Sequence, residues 1–122
     1  MLLATAEKGM LESRDSLRKK EGVLLPTFIS EQIQRLAQYT GAVEEILAEY
    51  ESEFIKNEAK RLKEYMESGK SVNMATNLIK FDLADERAEI AKLTRLVNSS
   101  WKIIGVSQSR IKHLIAEANN QI

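Results

Sequence analysis

The sequence contains no cysteine and only one histidine, His113. Without cysteine, the chain forms no disulfides, no thiolate metal sites and no cysteine nucleophile, and a reducing compartment is the expected setting. A single histidine argues against a histidine metal site and against a Ser-His-Asp triad within one chain. The residue three before it is Arg110, so the Glu-x-x-His pair of helical di-iron proteins is also missing. We therefore expect no metal ion, no cofactor and no enzymatic activity.

Residues that break regular structure are also scarce, with one proline, Pro26, and five glycines in 122 residues. Aromatic residues make up only 6% of the chain. These shortages argue against a β-rich or loop-rich fold. What the chain has instead is 30% charged and 43% apolar residues, a balance typical of long helices and coiled coils. The composition therefore predicts an all-α protein.

Excess charge and long apolar runs are missing as well. The 18 basic and 18 acidic residues give a formal net charge of zero, so there is no general basic footprint for nucleic acid. No apolar run approaches the roughly 18 residues that cross a bilayer. The apolar start, Met1 to Ala6, is too short for a signal peptide and has no basic residue before it. We expect a cytoplasmic protein, in the host cytoplasm if the gene is viral.

The glycines and the proline divide one predicted domain, residues 1–122, into three helices. Helix 1 covers about residues 2–20, helix 2 about 27–67 and helix 3 about 73–119, with a linker before helix 2 and a turn after it. In that turn, Gly69 is able to take the left-handed conformation that ends a helix.

Two further positions mark helix boundaries or bends. Ser71 or Asn73 is the expected N-cap of helix 3, because a short polar side chain there accepts a hydrogen bond from the first turn. Gly41 is a candidate position for a kink inside helix 2.

Apolar residues recur along one face of each predicted helix. In helix 2 they alternate steps of four and three for nearly four heptads, as in a coiled-coil seam. This stripe comprises Ile29, Ile33, Leu36, Thr40, Val43, Leu47, Tyr50 and Phe54. It then shifts by one residue, which changes the local winding of a seam. The shifted members are Ile55, Ala59, Leu62 and Met66. Helix 1 carries a sparser stripe with a spacing of seven: Leu3, Met10, Leu17 and Leu24.

Helix 3 carries a longer stripe, widened by Leu96, Ile103 and Leu114. Its members are Ile79, Leu83, Ile90, Leu93, Val97, Trp101, Ile104, Ile111, Ile115 and Ala118. Helices 2 and 3 would each be roughly 60–70 Å long, whereas a compact domain of this size has a radius of gyration of about 14 Å. Helices of that length cannot wrap one monomeric core. We expect a long antiparallel helical hairpin plus a shorter N-terminal helix, assembled into a homo-oligomer by its unsatisfied apolar faces. A kinked monomeric bundle is the alternative.

Charge is unevenly distributed along the chain. Between Glu44 and Glu53 there are five glutamates and no basic residue. From Ile90 onward there is one acidic residue, Glu117, against five basic ones: Lys92, Arg95, Lys102, Arg110 and Lys112. Three interpretations are open: pairing of the two regions across the hairpin or between subunits, a basic surface for phosphate backbones, or plain solvation.

A small basic cluster lies late in helix 2, where Lys60 and Arg61 are flanked by two further lysines, Lys56 and Lys63. Tyr65 follows Arg61 by one turn and could stack on a base. The alternative is pairing of the basic side chains with glutamates three or four residues away, such as Glu64 and Glu67. For Trp101 on the helix 3 stripe, burial in a core or interface competes with base stacking.

The same stretch carries a family resemblance. Residues Ala59–Tyr65 (AKRLKEY), followed by Ser68-Gly69, resemble a segment of the UvsY recombination-mediator family of T4-like phages. In that family a long helix ends with a Lys-x-Arg-Leu sequence, a tyrosine and a glycine turn, before a final long helix. Ala84-Asp85-Glu86 and Ser109–His113 (SRIKH) are similar to the closing helix of the family. The order of elements agrees over roughly residues 28–117.

The resemblance implies an oligomeric ring of helical subunits that binds single-stranded DNA. Such a ring helps a RecA-like recombinase to displace a single-strand-binding protein. The implied DNA contacts are Lys60 and Arg61, which are adjacent here but separated by one residue in the family.

Two hypotheses of function follow from the sequence. The first is a non-enzymatic, oligomeric accessory protein that binds single-stranded DNA. The alternative is a helical adaptor, inhibitor or assembly scaffold of phage type that binds proteins and no nucleic acid, which the neutral charge and the long seams favour.

Overall fold

A computed structural model describes residues 1–18 and 25–120 of the chain. This part of the protein forms four α-helices and contains no strand: α1 (Leu3–Arg18), α2 (Pro26–Glu67), α3 (Val72–Asp82) and α4 (Ala84–Asn120). The predicted all-α class, with a long helix pair and a shorter N-terminal helix, is confirmed. Most of the predicted linker before helix 2, including Leu24, lies outside the described residues.

The turn after α2 has the local structure that its sequence predicts. Gly69 has a φ of +89°, in the left-handed region. The Gly69 N–H donates to the Met66 carbonyl at 3.0 Å, and the Lys70 N–H donates to the Tyr65 carbonyl at 3.1 Å. These two bonds form a Schellman motif, which satisfies carbonyls that the helix end would otherwise leave unpaired. Ser71 caps α3, because its side-chain oxygen accepts from the Met74 N–H at 3.2 Å.

Helix α2 runs unbroken through Gly41, whereas the predicted helix 3 is divided in two. The expectation of one continuous helix over 73–119 is corrected by a break at Leu83, whose φ of −108° and ψ of 21° lie outside the helical region. The Leu83 N–H still donates to the Ile79 carbonyl at 3.0 Å, so the break costs little hydrogen bonding. No glycine or proline marks this position, and the Leu83 side chain is buried.

The chain divides into two compact units. We call residues 1–44 and 96–122 the terminal unit, and residues 45–95 the hairpin unit. The terminal unit contains α1, the first part of α2 and the last part of α4. Its buried apolar residues are Ala6, Met10, Leu17, Ile29, Ile33, Leu36, Val43, Val97 and Ile104.

A close helix contact inside the terminal unit involves Gly9 of α1. A Cβ at this position would lie 2.5 Å from ring atoms of Tyr39 on α2. Since real Cβ atoms do not approach carbon that closely, the absence of a side chain allows the Tyr39 ring to lie against α1. The glycine that weakens α1 as an isolated helix is therefore a packing residue in the folded unit.

The hairpin unit contains the second part of α2, all of α3 and the first part of α4. Contacts run in opposite directions along the helices, since Phe54 faces Arg87 while Arg61 faces Asp82. This confirms the antiparallel arrangement within the unit. Its buried apolar residues are Leu47, Ala75, Ile79, Leu83 and Leu93. The predicted stripe on α2 is thus buried from Ile29 to Leu47, but its continuation is half-buried or exposed.

Candidate nucleic-acid interface

Lys60 and Arg61 lie on α2 in the hairpin unit, and both are exposed. The surrounding Ala, Lys, Leu and Glu residues favour helix, which keeps this stretch regular up to the Gly69 turn. Consecutive helical residues project about 100° apart. The two side chains therefore point in different directions but still line one open groove of about 220 Å³. The other lining residues are Asn57, Glu64, Leu83 and Glu86.

Arg61 is held by a residue from the end of α3. Its Nη1 atom lies 3.2 Å from Asp82 Oδ2, and the two side chains are 44% and 22% exposed. The Tyr65 hydroxyl donates a hydrogen bond to the same carboxylate oxygen. The expected pairing of Arg61 with a nearby glutamate is replaced by this contact across 21 residues, which no local spacing could have revealed.

The hydrogen bond to Asp82 raises the pKa of the Tyr65 hydroxyl above its ordinary value near 10, and desolvation and the Asp82 charge add to the increase. The cause is that the neutral phenol donates to a carboxylate that would repel a phenolate. Tyr65, Asp82 and Arg61 thus form a polar clamp between α2 and α3. The phenol hydroxyl is engaged in this clamp, and its ring is half-buried.

The flanking lysines differ in their surroundings. Lys56 Nζ lies 3.8 Å from Glu53 Oε1 on the same helix, an exposed pair. Within residues 1–18 and 25–120, neither Lys60 nor Lys63 has a carboxylate within 4.0 Å. Lys60 is therefore a cation without an ion-pair partner in the described chain, whereas Arg61 shares its charge with Asp82.

The basic residues of the last third of the chain do not form one cluster. Lys92 and Arg95 belong to the hairpin unit, whereas Lys102, Arg110 and Lys112 belong to the terminal unit. In the described hairpin unit, none of the glutamates from Glu49 to Glu53 forms an ion pair with Lys92 or Arg95. His113 Nε2 lies 3.0 Å from Glu117 Oε1 one turn further on, an exposed contact that is an ion pair when the histidine is protonated.

Trp101 is partly exposed, and its indole N–H is hydrogen-bonded. Its side chain is 42% exposed, and its indole N–H donates to the carboxylate of Glu44 in the same unit. The expected burial in a core does not occur within this chain. Burial in an interface and stacking on a base both stay predictions.

A second groove of the hairpin unit was not found from the sequence. It has a volume of about 200 Å³ and lies between α2 and α4. Its lining is Tyr50, Glu53, Phe54, Asn57, Glu86, Glu89 and Ile90. The lining residues do follow helical spacing in the sequence, at i, i+3, i+4 and i+7 on α2 and at i, i+3 and i+4 on α4. Recognising the groove, however, required knowing that these two helices pair.

Chemistry other than charge and apolar contact is sparse in the described part of the chain. Residues 1–18 and 25–120 contain no group of three His, Cys, Asp or Glu side chains that could hold a metal ion. None of the helices α1 to α4 has both the length and the apolar character needed to cross a bilayer. Comparison with family models, curated proteins and solved structures yields no match to this chain.

Proposed function

We propose that this chain is a non-enzymatic, oligomeric accessory protein that binds single-stranded DNA and assists a RecA-like recombinase in the cytoplasm of a phage-infected cell. The observation that carries the proposal is the groove shared by Lys60 and Arg61 on α2. Lys60 has no ion-pair partner in the described chain, and Arg61 is anchored to Asp82 by one guanidinium nitrogen. The resemblance of this stretch to the UvsY family supports the same two residues.

The mechanism is electrostatic. A basic side chain that neutralises a phosphate releases counterions from the DNA. The logarithm of the binding constant therefore falls by about 0.7 per contact for each tenfold increase in salt concentration, for a single strand. Glu64 and Glu86 line the same groove and weaken its positive potential. Each chain therefore binds weakly, and several copies on one strand reach useful affinity because the second and later contacts are intramolecular.

Fluorescence anisotropy of a labelled oligonucleotide tests the proposal. Wild-type protein is expected to bind at low salt, and Lys60→Ala with Arg61→Ala should weaken binding about tenfold or more, because charge-assisted contacts are lost. Lys70→Ala with Lys80→Ala removes the same charge elsewhere in the hairpin unit and is the matched control. Circular dichroism checks that the helices persist. Absence of binding at low salt, or equal affinities of the two double variants, would exclude this site.

A second candidate function is supported by a separate observation. The hairpin unit exposes several large apolar side chains: Tyr50, Ile55, Met66, Val72, Met74 and Phe81. Phe81 of α3 is 83% exposed. Where such side chains form a contiguous patch, they mark contacts with other proteins. A helical adaptor or assembly scaffold that binds no nucleic acid is therefore the alternative proposal.

Variants of these exposed residues distinguish the two functions. Phe81→Ser with Ile55→Ser should abolish binding of a protein partner if the chain is an adaptor. The same change should leave oligonucleotide affinity within about twofold if Lys60 and Arg61 carry the function, since neither residue lines their groove.

A further inference from the structure

The second groove of the hairpin unit combines an apolar floor with acidic walls. We call the half-buried Phe54 and Ile90 its floor and the glutamates its walls; the exposed Tyr50 also lines it. Three glutamates line it, Glu53 and Glu86 exposed and Glu89 half-buried, and no basic side chain does. The Arg87 guanidinium lies 5.6 Å from the centroid of the Phe54 ring but does not line this groove.

A groove between two antiparallel helices is the position that a third helix takes in a bundle. The acidic walls determine which helix fits. Three carboxylates repel a phosphate backbone, so the groove is unsuited to DNA. They attract a helix that carries an apolar side chain with basic residues one turn before and one turn after it.

The chain itself contains such a helix surface. Lys102, Val106 and Arg110 follow one another at intervals of four on α4, so they lie along one stripe. Val106 is 71% exposed, although it is a large apolar residue in the middle of a helix. The one acidic residue between Leu96 and Asn120 is Glu117, and it contacts His113. The stripe therefore complements the groove in charge and in apolar content.

We propose that the groove lined by Glu53 and Glu89 binds the Lys102–Val106–Arg110 stripe of a second copy of this chain. Val106 covers the Phe54–Ile90 floor, and the two cations face the glutamates on the walls. The contact deepens the proposed function, which requires an assembly. Glu86 lines both grooves, but the four charged residues tested here, Glu53, Glu89, Lys102 and Arg110, do not line the groove of Lys60 and Arg61. Because every copy carries both surfaces, the contact supports either a reciprocal dimer or a closed ring.

Light scattering and analytical ultracentrifugation of charge-reversal variants test the contact. Glu53→Lys with Glu89→Lys, and separately Lys102→Glu with Arg110→Glu, should each place like charges together and weaken self-association about 100-fold. Each variant alone should have the mass of one chain at concentrations where the wild type assembles. An equimolar mixture of the two variants should recover assembly, because every contact between unlike variants then brings opposite charges together.

The controls separate this contact from other causes. Glu45→Lys with Glu51→Lys reverses the same amount of charge on exposed residues of α2 that do not line the groove. It should leave self-association unchanged. A monomeric wild type, loss of assembly in this control, or failure of the mixture to recover assembly each overturns the proposal. Glu86 is left intact because it also lines the Lys60–Arg61 groove. Anisotropy at low salt, where the wild-type protein is expected to bind the oligonucleotide, tests the DNA site separately. The assembly contact and the DNA site can therefore each be excluded while the other stands.

Discussion

Helix α2 passes through both units with an apolar stripe that continues along its length, yet the two parts of the helix are buried very differently. In the terminal unit, Ile29, Leu36 and Val43 are fully buried. After Leu47 no residue of α2 is buried, although Tyr50, Phe54 and Ile55 continue the apolar pattern. The terminal unit has α1 as an additional helix, against which Tyr39 of α2 packs. A heptad stripe thus reports a face suited to burial, and the available partners decide whether that face is covered.

The two units also differ in their polar contacts. The terminal unit buries Ser13, Gln32, Thr40, Ser100 and Ser107 among its helices. The hairpin unit is instead linked by the partly exposed clamp of Arg61, Tyr65 and Asp82. We therefore expect apolar packing to dominate the stability of the terminal unit and polar contacts to matter more in the hairpin unit.

The largest effect is expected from a matched pair of isoleucines on α2. Ile29 is 0% exposed and Ile55 is 64% exposed. Ile29→Ala should lower the free energy of unfolding by about 2–5 kcal/mol, because it leaves a cavity in the core. Ile55→Ala should change it by less than about 0.5 kcal/mol. Urea unfolding followed by circular dichroism measures both. A cost above about 2 kcal/mol for Ile55→Ala would contradict the comparison and show that a partner covers this residue in solution.

A pair of glycines tests how closely α1 packs in the terminal unit. Gly9→Ala should destabilise by roughly 1 kcal/mol, since overpacking against Tyr39 costs about 1–3 kcal/mol and alanine restores about 1 kcal/mol of helix propensity. A Cβ at Gly41 meets nothing within 4 Å, so Gly41→Ala should stabilise by about 1 kcal/mol. Thermal unfolding measures the difference. Equal stabilisation by both substitutions would show that α1 does not pack on Tyr39 as described.

Removal of a buried hydroxyl is expected to stabilise the terminal unit. Thr40 is fully buried, and its Oγ1 has no hydrogen-bond partner among the residues that the structure describes. Thr40→Val keeps the branched shape and removes the unpaired hydroxyl, so it should stabilise by about 1 kcal/mol. Thr40→Ser keeps the hydroxyl and loses a methyl group, and it should destabilise. Destabilisation by valine would indicate that the hydroxyl has a partner after all.

The smallest effect on stability concerns the clamp of the hairpin unit. Asp82→Asn should cost at most about 1 kcal/mol, because the pair with Arg61 is partly exposed and screened by water. It should also lower the pKa of Tyr65 toward the ordinary value near 10. The raised pKa means that the neutral phenol favours the folded state. This contribution is therefore present below about pH 10 and is lost as the pH rises through the raised pKa.

Absorbance of tyrosinate during alkaline titration measures this pKa. Tyr39→Phe and Tyr50→Phe variants of both proteins isolate the signal of Tyr65, since these are the only other tyrosines. An unchanged titration curve in the Asp82→Asn protein would mean that the phenol does not donate to this carboxylate. The clamp would then consist of the Arg61–Asp82 contact alone.

The candidate sites could be predicted only in part. A short motif predicts Lys60 and Arg61 as DNA contacts, and the structure places both in one groove; their binding of DNA stays a prediction. The Asp82 contact, the acidic groove and the exposed position of Trp101 depend on residues between 17 and 57 positions apart. Such contacts leave no local pattern, because each partner alone is an ordinary charged or aromatic residue on a helix.

The sequence by itself determined the features that involve a few neighbouring residues. The scarcity of glycine and proline gave helices, Gly69 and Ser71 fixed the turn through their own dihedral preference and hydrogen bond, and the apolar spacing identified the buried face of α2 up to Leu47. Only the tertiary structure decided the break at Leu83, the end of burial after Leu47 and the partner of Arg61. The physical reason is that local signals act through dihedral angles and adjacent hydrogen bonds. Burial and long-range pairing instead depend on which helix lies opposite, and the stripes on these helices would suit several partners equally.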